Sequence, residues 1–349
     1  MTKSRQHKNK STLILTHGDS DGVCSGAIAK SAYPEGDVYF TSPVGVLDDL
    51  NLADGYKNII ICDIAIDERH CTALFKRLAE LASVSNLTYI DHHPLPEKCI
   101  TADWLHHDLT VCASELTYKV LEKRLSSDMR RVAIYGAIGD YYDNTPSVKE
   151  WLRDWDKRSL FFQAGTLIQA LIYSGRNYDF KRKLLLPLSH DKIPTDIPNV
   201  LRLAKEGADL EEQLRIHVKH EVKALHNLAY VVDPNGYMSK SAIYAASYGQ
   251  RDVGVSAEFR HKRNVYDMSM RSRNSESVDL NRLLRRIAPS FGGSGGGHAS
   301  AAGARIPKES FDAFLREFDK AIGVQKQQAA ELIREQNSSI NGGINGKED

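Results

Sequence analysis

Three stretches of this chain close an apolar run with side chains that favour cations. His17, Asp19 and Asp21 stand at alternate positions in "LTHGDSDGVCSG" (15–26), Asp63 follows "NIIIC", and Asp91, His92 and His93 follow "LTYI". Side chains two apart on an extended segment point the same way, so the first three are expected to form one comb facing a crevice. Aspartate and histidine without cysteine make a hard-to-borderline ligand set, suited to Mn²⁺ or Mg²⁺ rather than to structural zinc. Carboxylates this crowded repel unless cations sit between them. Five or six such ligands point to two metals sharing a carboxylate, at the roughly 3.5 to 4 Å separation that clamps an attacking and a leaving oxygen. A lone D-x-D is commonly a turn, because Asp bonds locally there; its recurrence with D-H-H behind three apolar runs is what marks a metal site.

A second constellation lies in "FGGSGGGHASAAG" (291–303). Its glycines let backbone N–H groups approach an anion, and a small-residue helix expected behind His298 adds its positive N-terminal end. A flexible tether is the bland alternative. In "MSMRSR" (268–273), Ser269, Arg271 and Arg273 share one face of an expected strand, and an arginine can hold phosphate through two N–H groups. His106 and His107 in "WLHHD" read as ordinary surface or core histidines.

Positioning these residues requires a particular frame. "TLILT" (12–16), "NIIIC" (58–62) and "LTYI" (87–90) read as buried strands, separated by helical patterns in "GVCSGAIAKSAY" and in "DERHCTALFKRLAELAS", the latter with Asp67 as its expected N-cap. Strand and helix in alternation imply a parallel sheet with helices on its faces, whose strands share one carboxyl edge where ligands bind. "VCASELTYKVLEKRL" and "DMRRVAIYGAIGDYYDN" read as helices, the second bringing Asp140 and Asp143 towards the cluster.

Three prolines in 184–200 mark an expected boundary, followed by a helical connector that Gly207 is positioned to break. From residue 229 the pieces "AYVVD", "SAIYAA", "VGVSAEFR" and "VYDMSMRSR" read as strand-like, with "DLNRLLRRI" a helix. The expected organisation is a disordered lead over 1–11, a parallel-sheet α/β domain over 12–190, a helical connector over 191–228, a smaller α/β domain over 229–323, and a polar tail over 324–349 whose end, "QNSSINGGINGKED", is expected to be disordered.

The 349 residues suit two domains, and 42% apolar with 26% charged residues is an ordinary globular balance. A formal charge of +1 provides no global field towards nucleic acid or an anionic membrane, so any such contact is local. Five cysteines without a CxxC pair argue against a zinc ribbon or a disulfide framework and fit a reducing cytoplasm. No stretch is long and apolar enough for a signal or membrane span, so no membrane association is expected.

Taken together, the motifs resemble the DHH phosphoesterase superfamily: "HGDSDG" its first motif, "ICD" its second, "DHH" its third and "GAIGD" its fourth. "GGSGGGHASAAG" with "MSMRS" resembles the DHH-associated C-terminal domain, and the likeness spans residues 12–323. The resemblance implies two Mn²⁺ ions, Mg²⁺ being the alternative, in an N-terminal domain that faces a substrate-binding domain across a cleft. It implies His17 and Asp19 on one metal, Asp21, His92 and Asp140 on the other, Asp63 bridging, and Asp91 orienting His92. It further implies His93 close to the scissile phosphate, and Arg271, Ser272, Gly296, Gly297 and His298 on phosphate or the terminal nucleotide. Position 17 departs from the family pattern: RecJ exonucleases tend to carry Asp there, and nanoRNases and family II pyrophosphatases place their His farther ahead of the Asp pair.

The activity so implied is metal-assisted hydrolysis of short RNA or DNA oligonucleotides or other nucleotide phosphodiesters, as in nanoRNases. A compact RecJ-like single-strand DNA exonuclease is the alternative, since aromatics interleave with arginines in "EFRHKRNVYDMSMRSR". A non-catalytic nucleotide sensor on the same fold would show lost metal ligands, and none is lost here. A cytoplasmic protein, with a homodimer as its candidate assembly, completes the expectation.

Overall fold

A computed structural model describes residues 10–96 and 101–344. The chain divides into two compact units between Ala208 and Asp209.

The first unit opens with β1 (Lys10–Thr16), α1 (Ser20–Ala32), β2 (Asp37–Phe40), α2 (Val46–Asp49), β3 (Tyr56–Cys62), α3 (Cys71–Ala82), β4 (Asn86–Asp91) and β5 (Leu105–His107). It continues with α4 (Ala113–Leu121), α5 (Arg130–Gly139), α6 (Pro146–Trp151), α7 (Lys157–Ser174), α8 (Tyr178–Ser189) and the start of α9 (Val200–Glu221). All strand pairs are parallel, in the order β2-β1-β3-β4-β5. Helices cover both faces, so successive residues of a strand are buried in different layers. Leu13, Leu15, Ile59 and Ile61 pack with Leu74, Phe75 and Leu78 of α3, whereas Ile14 and Ile60 pack with Ala29 of α1 and Leu121 of α4. Truncating one of these leucines or isoleucines to alanine costs about 2–5 kcal/mol. From β1 the chain crosses first to β2 and then to β3 on the opposite side, which makes the β1/β3 carboxyl ends a topological switch point.

Several local expectations change. The edge strands β2 and β5 are short and carry no long apolar run. Asp67 does not cap α3, which starts four residues later; its Oδ1 instead accepts the Arg69 N–H at 2.9 Å in the preceding turn. The proline-rich boundary begins inside a helix, since Pro187 stands in the last turn of α8. Gly207 does not break α9. A Cβ there would lie 2.9 Å from the Gln169 carbonyl of α7, so the glycine permits close helix packing.

The second unit holds the remainder of α9, then β6 (Lys223–Ala224), β7 (Leu228–Val232), α10 (Met238–Tyr248), β8 (Val253–Arg260), β9 (Val265–Ser272), α11 (Leu280–Ile287), β10 (Ser294–Gly297), β11 (Ala301–Pro307) and α12 (Phe311–Ile344). Its sheet runs β10-β11-β9-β8-β7-β6, antiparallel except for β7 with β8. A parallel pair needs a crossover, and this is why "SAIYAA" is helix α10 rather than a strand. Gly254 seats that helix on β8: a Cβ there would overlap the Ala242 carbonyl. Val253, Val255, Met268, Met270 and Ile306 form the core with Leu283 and Leu284 of α11 and Phe314 and Phe318 of α12.

Two further corrections concern the chain after the glycine run. "ASAAG" leads into strand β11, not a helix, because Ala302, Ala304 and Ile306 alternate into the core with a period of two. Helix α12 continues to Ile344 and takes in most of the expected polar tail. Its packed first turns supply the helical nucleus, and the Gln, Lys, Ala and Glu of 325–336 then extend it at little cost. Residues 1–9 of the expected lead and 345–349 lie outside the described residues, while Lys10 and Ser11 belong to β1. Among the described residues, no helix is long and apolar enough to cross a membrane.

Candidate active site

Beyond Thr16 the chain turns from strand into helix. Thr16 Oγ1 donates to the Gly22 carbonyl at 2.5 Å, and Asp19 caps α1 by accepting the Gly22 N–H at 2.9 Å. Only glycine fits at 22, where a Cβ would stand 2.5 Å from the His17 carbonyl oxygen. The segment is therefore not extended, and the expected comb divides. His17 Nδ1 meets Asp19 Oδ2 at 2.9 Å. Asp21, inside the first helical turn, points elsewhere, as residues two apart on a helix do. Its Oδ2 accepts the Ala113 N–H at 2.7 Å and its Oδ1 the Ser114 N–H at 2.9 Å, at the N-terminus of α4. That oxygen Oδ2 is also 3.8 Å from Nε2 of His92.

Asp63 joins the two halves. It follows β3 in the left-handed region, φ 58°, held there by its N–H donating to the Ile90 carbonyl at 2.9 Å. Its buried carboxylate sets Oδ2 3.9 Å from His17 Nδ1, and Oδ1 3.5 Å from His92 Nε2 and 4.0 Å from His93 Nδ1. Three groups consequently share it: His17, Asp19 and Asp63; Asp21, Asp63 and His92; Asp63, Asp91 and His93, each with potential ligand atoms within 4.8 Å of one another. Asp140 brings Oδ2 to 3.4 Å from His92 Nε2. It sits at the C-cap of α5, an end where the helix dipole disfavours a carboxylate.

Asp91 corrects another expectation. Its Oδ1 accepts from His93 Nδ1 at 2.8 Å, so it orients His93 and not His92. At the end of a strand, residues i and i+2 share a side. His107 also has a supporting role, donating from Nε2 to the His93 carbonyl at 2.7 Å. Tyr142 places its ring edge-on to His92, centroids 5.4 Å apart.

Burial, and then Asp19, Asp21, Asp91 and Asp140, push the Asp63 carboxyl well above the usual carboxylate range. Asp19 goes the other way: desolvation raises it, but the His17 charge and hydrogen bond and the Gly22 amide outweigh this and hold it well below. Desolvation also pushes up the thiols of Cys24, Cys62 (to about 12) and Cys112. The donor set is thus oxygen and nitrogen, with sulfur kept protonated. Asp63 Oδ2 is buried without a hydrogen-bond partner, and the cluster fits hard divalent cations on that ground.

The glycines of "GAIGD" explain themselves by contact. A Cβ on Gly136 would lie 2.2 Å from Ser114 Oγ and 2.7 Å from Asp21 Oδ1, and one on Gly139 would lie 2.2 Å from Ser20 Oγ. Both let α5 press on the residues that place Asp21. A residue missed in the sequence is Lys181 of α8, buried, whose Nζ donates to the Gly18 carbonyl between His17 and Asp19. Only the run "KRK" (181–183) hinted at it, and such runs ordinarily face solvent.

In the second unit, the expected substrate residues gather at one end of the sheet. Arg271 pairs with Ala301 across β9 and β11, its guanidinium donating to Ser239 Oγ at 2.5 Å, the Met270 carbonyl at 2.8 Å and Ser269 Oγ at 3.3 Å. The Ser272 N–H donates to the Ser300 carbonyl at 2.8 Å. Gly296 and Gly297 lie in β10; Gly297, at φ 144°, donates its N–H to Asn281 Oδ1 at 3.1 Å. The His298 N–H closes the turn onto the Ala301 carbonyl at 2.7 Å.

Residues 228–324 match the family model of the DHHA1 domain. The second unit accordingly carries a DHHA1 domain. Solved structures share the fold of the chain over 90% of its length. One is described as a pGpG-specific phosphodiesterase, PggH from Vibrio cholerae, at 16% identity, covered over 100% of that chain with a TM-score of 0.58. Another is RecJ from Thermus thermophilus in complex with Mn²⁺, at 16% identity, 52% of that chain and TM-score 0.65. A third, described as the DHH domain of PF0399, a member of the s1p family of ribosomal proteins, has 15% identity, 87% of that chain and TM-score 0.65. At these identities the likeness is one of fold. No curated protein matches the chain in sequence.

Proposed function

We propose that this DHH chain is a manganese-dependent phosphodiesterase that hydrolyses short oligonucleotides to nucleoside monophosphates. The sharing of the buried Asp63 carboxylate between two ligand groups on either side of it carries this reading. His17 and Asp19 would hold one divalent cation, Asp21, His92 and Asp140 the other, with Asp63 bridging, and Mg²⁺ as the alternative ion. Bound there, the cations supply Lewis acidity and a lowered water pKa.

The remaining chemistry belongs to side chains. Asp91 fixes the His93 ring through Nδ1, which makes Nε2 the atom that meets substrate beside the scissile phosphate. Hydrolysis adds the oxygen of water to phosphorus, breaks the bond to the sugar oxygen and returns a proton to it; His93 Nε2 is the group assigned to that proton. Arg271 and Ser272, with the N–H groups of Gly296, Gly297 and His298, would hold phosphate or the terminal nucleotide. Coverage of the whole PggH chain, whose description names a dinucleotide substrate, supports small substrates; the charge of +1 gives long strands no strong general attraction.

The test is hydrolysis, in Mn²⁺, of a labelled RNA dinucleotide, a five-nucleotide RNA and a long single-stranded DNA, with Asp63→Ala as control. Preference for the short RNAs is expected. Processive loss of the long DNA would replace this reading with a RecJ-like exonuclease, and silence on all three would overturn it in favour of another nucleotide phosphodiester or a non-catalytic sensor. A cytoplasmic homodimer is part of the same proposal, and size-exclusion chromatography with light scattering tests the assembly.

A further inference from the structure

We infer that Lys181 is a positioning residue for the metal-binding turn, clasping the Gly18 carbonyl so that His17 and Asp19 present their ligand atoms together. This rests on the two-cation reading above. Lys181 lies in α8, 163 residues from its partner, and the residue is only 6% exposed. A buried ammonium is costly and is retained where its hydrogen bond matters to the surrounding structure. Here that bond goes to the carbonyl of Gly18, the residue between the two ligands His17 and Asp19.

The packing is built around the same contact. A Cβ on Gly18 would stand 3.0 Å from Tyr178 Cε1 and 3.2 Å from Lys181 Nζ, so the bare glycine is what admits them. Tyr178 in turn stacks on Phe40 of β2 at 5.8 Å, and Lys181 Nζ rests 5.3 Å from the Tyr178 ring centroid. One turn of α8 therefore holds the turn after β1 from behind. Fixing that peptide fixes the directions in which residues 17 and 19 leave the backbone, which keeps His17 Nδ1 and Asp19 Oδ2 2.9 Å apart.

Two effects of Lys181 on a bound cation oppose each other. Its charge repels the metal, while its hydrogen bond orients the ligands, and the sign of the change in Mn²⁺ affinity when the side chain is removed decides which prevails. Partners that orient metal ligands typically change affinity by about 10- to 100-fold.

The experiment titrates Mn²⁺ into the full-length protein by calorimetry and records thermal unfolding in EDTA and in Mn²⁺, for the wild type and Lys181→Met. Methionine fills the slot without leaving a buried charge. The expected result is a Kd for Mn²⁺ weaker by about 10- to 100-fold, with the midpoint in EDTA little changed. An unchanged or tighter Kd, or a lower midpoint in EDTA with an undiminished gain from Mn²⁺, overturns the inference and leaves Lys181 a merely structural residue. Should Lys181→Met not fold, Gly18→Ala applies the same test, since its Cβ displaces the clasp from the other side; an unchanged Kd there overturns it equally. Absence of Mn²⁺ binding by the wild type would overturn the two-cation reading itself.

Discussion

Asp63 and His92, at the ends of neighbouring parallel strands, bring Oδ1 and Nε2 to 3.5 Å of each other, while the other oxygen of Asp63 faces His17. One carboxylate thus belongs to both sides of the cluster. Burial, and then Asp19, Asp21, Asp91 and Asp140 around it, raise the carboxyl of the same residue well above the usual range. Function and metal-free stability should therefore respond to it in opposite directions.

Asp63→Asn retains the shape and tolerates the left-handed backbone, yet removes the negative charge. Turnover in Mn²⁺ should fall by about a thousandfold or more, the scale of several kcal/mol of transition-state charge stabilisation. The midpoint of thermal unfolding in EDTA should stay level or rise, because a repelled buried carboxylate has gone. Full turnover would remove Asp63 from the site; a collapse of the midpoint in EDTA would show that its charge is stabilising.

Gly136→Ala tests the seating of α5. The added Cβ would stand 2.2 Å from Ser114 Oγ, in a fully buried contact that also touches Asp21 Oδ1. Overpacking of this kind costs about 1–3 kcal/mol, and relief is available only by shifting Asp21 or α5. Both a lower midpoint and weaker Mn²⁺ binding are expected. Loss of stability with unaltered Mn²⁺ affinity would mean that α5 yields without moving Asp21.

Acid sensitivity of the second unit should report on Asp267. Desolvation raises its carboxyl, but the hydrogen bonds and charges of Arg305 and Arg260 outweigh this, and its folded pKa lies below the ordinary value. A depressed folded pKa contributes stability above the unfolded value, near 4, which is lost as pH falls through the folded one. Asp267→Asn should thus lower the unfolding midpoint at pH 7 by a few degrees and by less near pH 2. Equal losses at both pH values would show that the effect is not one of ionisation.

Much of this site could be read along the chain because its parts are local. His17, Asp63, His92 and His93 stand directly behind apolar runs, and the parallel frame follows from the alternation of those runs with helices. What escaped were relations set by tertiary contact. Asp21 looked like the third tooth of an extended comb, but the N-terminus of α4, some ninety residues on, claims its oxygens. Asp91 was paired with the wrong histidine because an implied role took no account of side-chain alternation. "SAIYAA" mixes alanine with Ile243 and Tyr244, and only the parallel pairing of β7 with β8 decides for a helix. Lys181 carries no local mark of burial, and Gly207 and Gly254 disclose their purpose only against the helices they admit.

Arg271 offers the most direct test of the second unit. Ser239, Ser269 and the Met270 carbonyl hold its guanidinium in place before any ligand arrives, so little side-chain freedom remains to be lost on binding. A charge-assisted contact of that kind is worth about 1.5–3 kcal/mol, or roughly 10- to 150-fold in affinity. Arg271→Ala should accordingly raise KM by about that factor for whichever oligonucleotide is cleaved fastest, with kcat much less affected, because the groups proposed to act on the phosphate, Asp63 and His93, are left unchanged. Arg271→Lys should rescue only part of the loss, since an ammonium cannot offer two parallel N–H groups. Unchanged KM on every substrate would take Arg271 out of the binding site, and an equal fall in kcat alone would place it instead among the groups that act in the transition state.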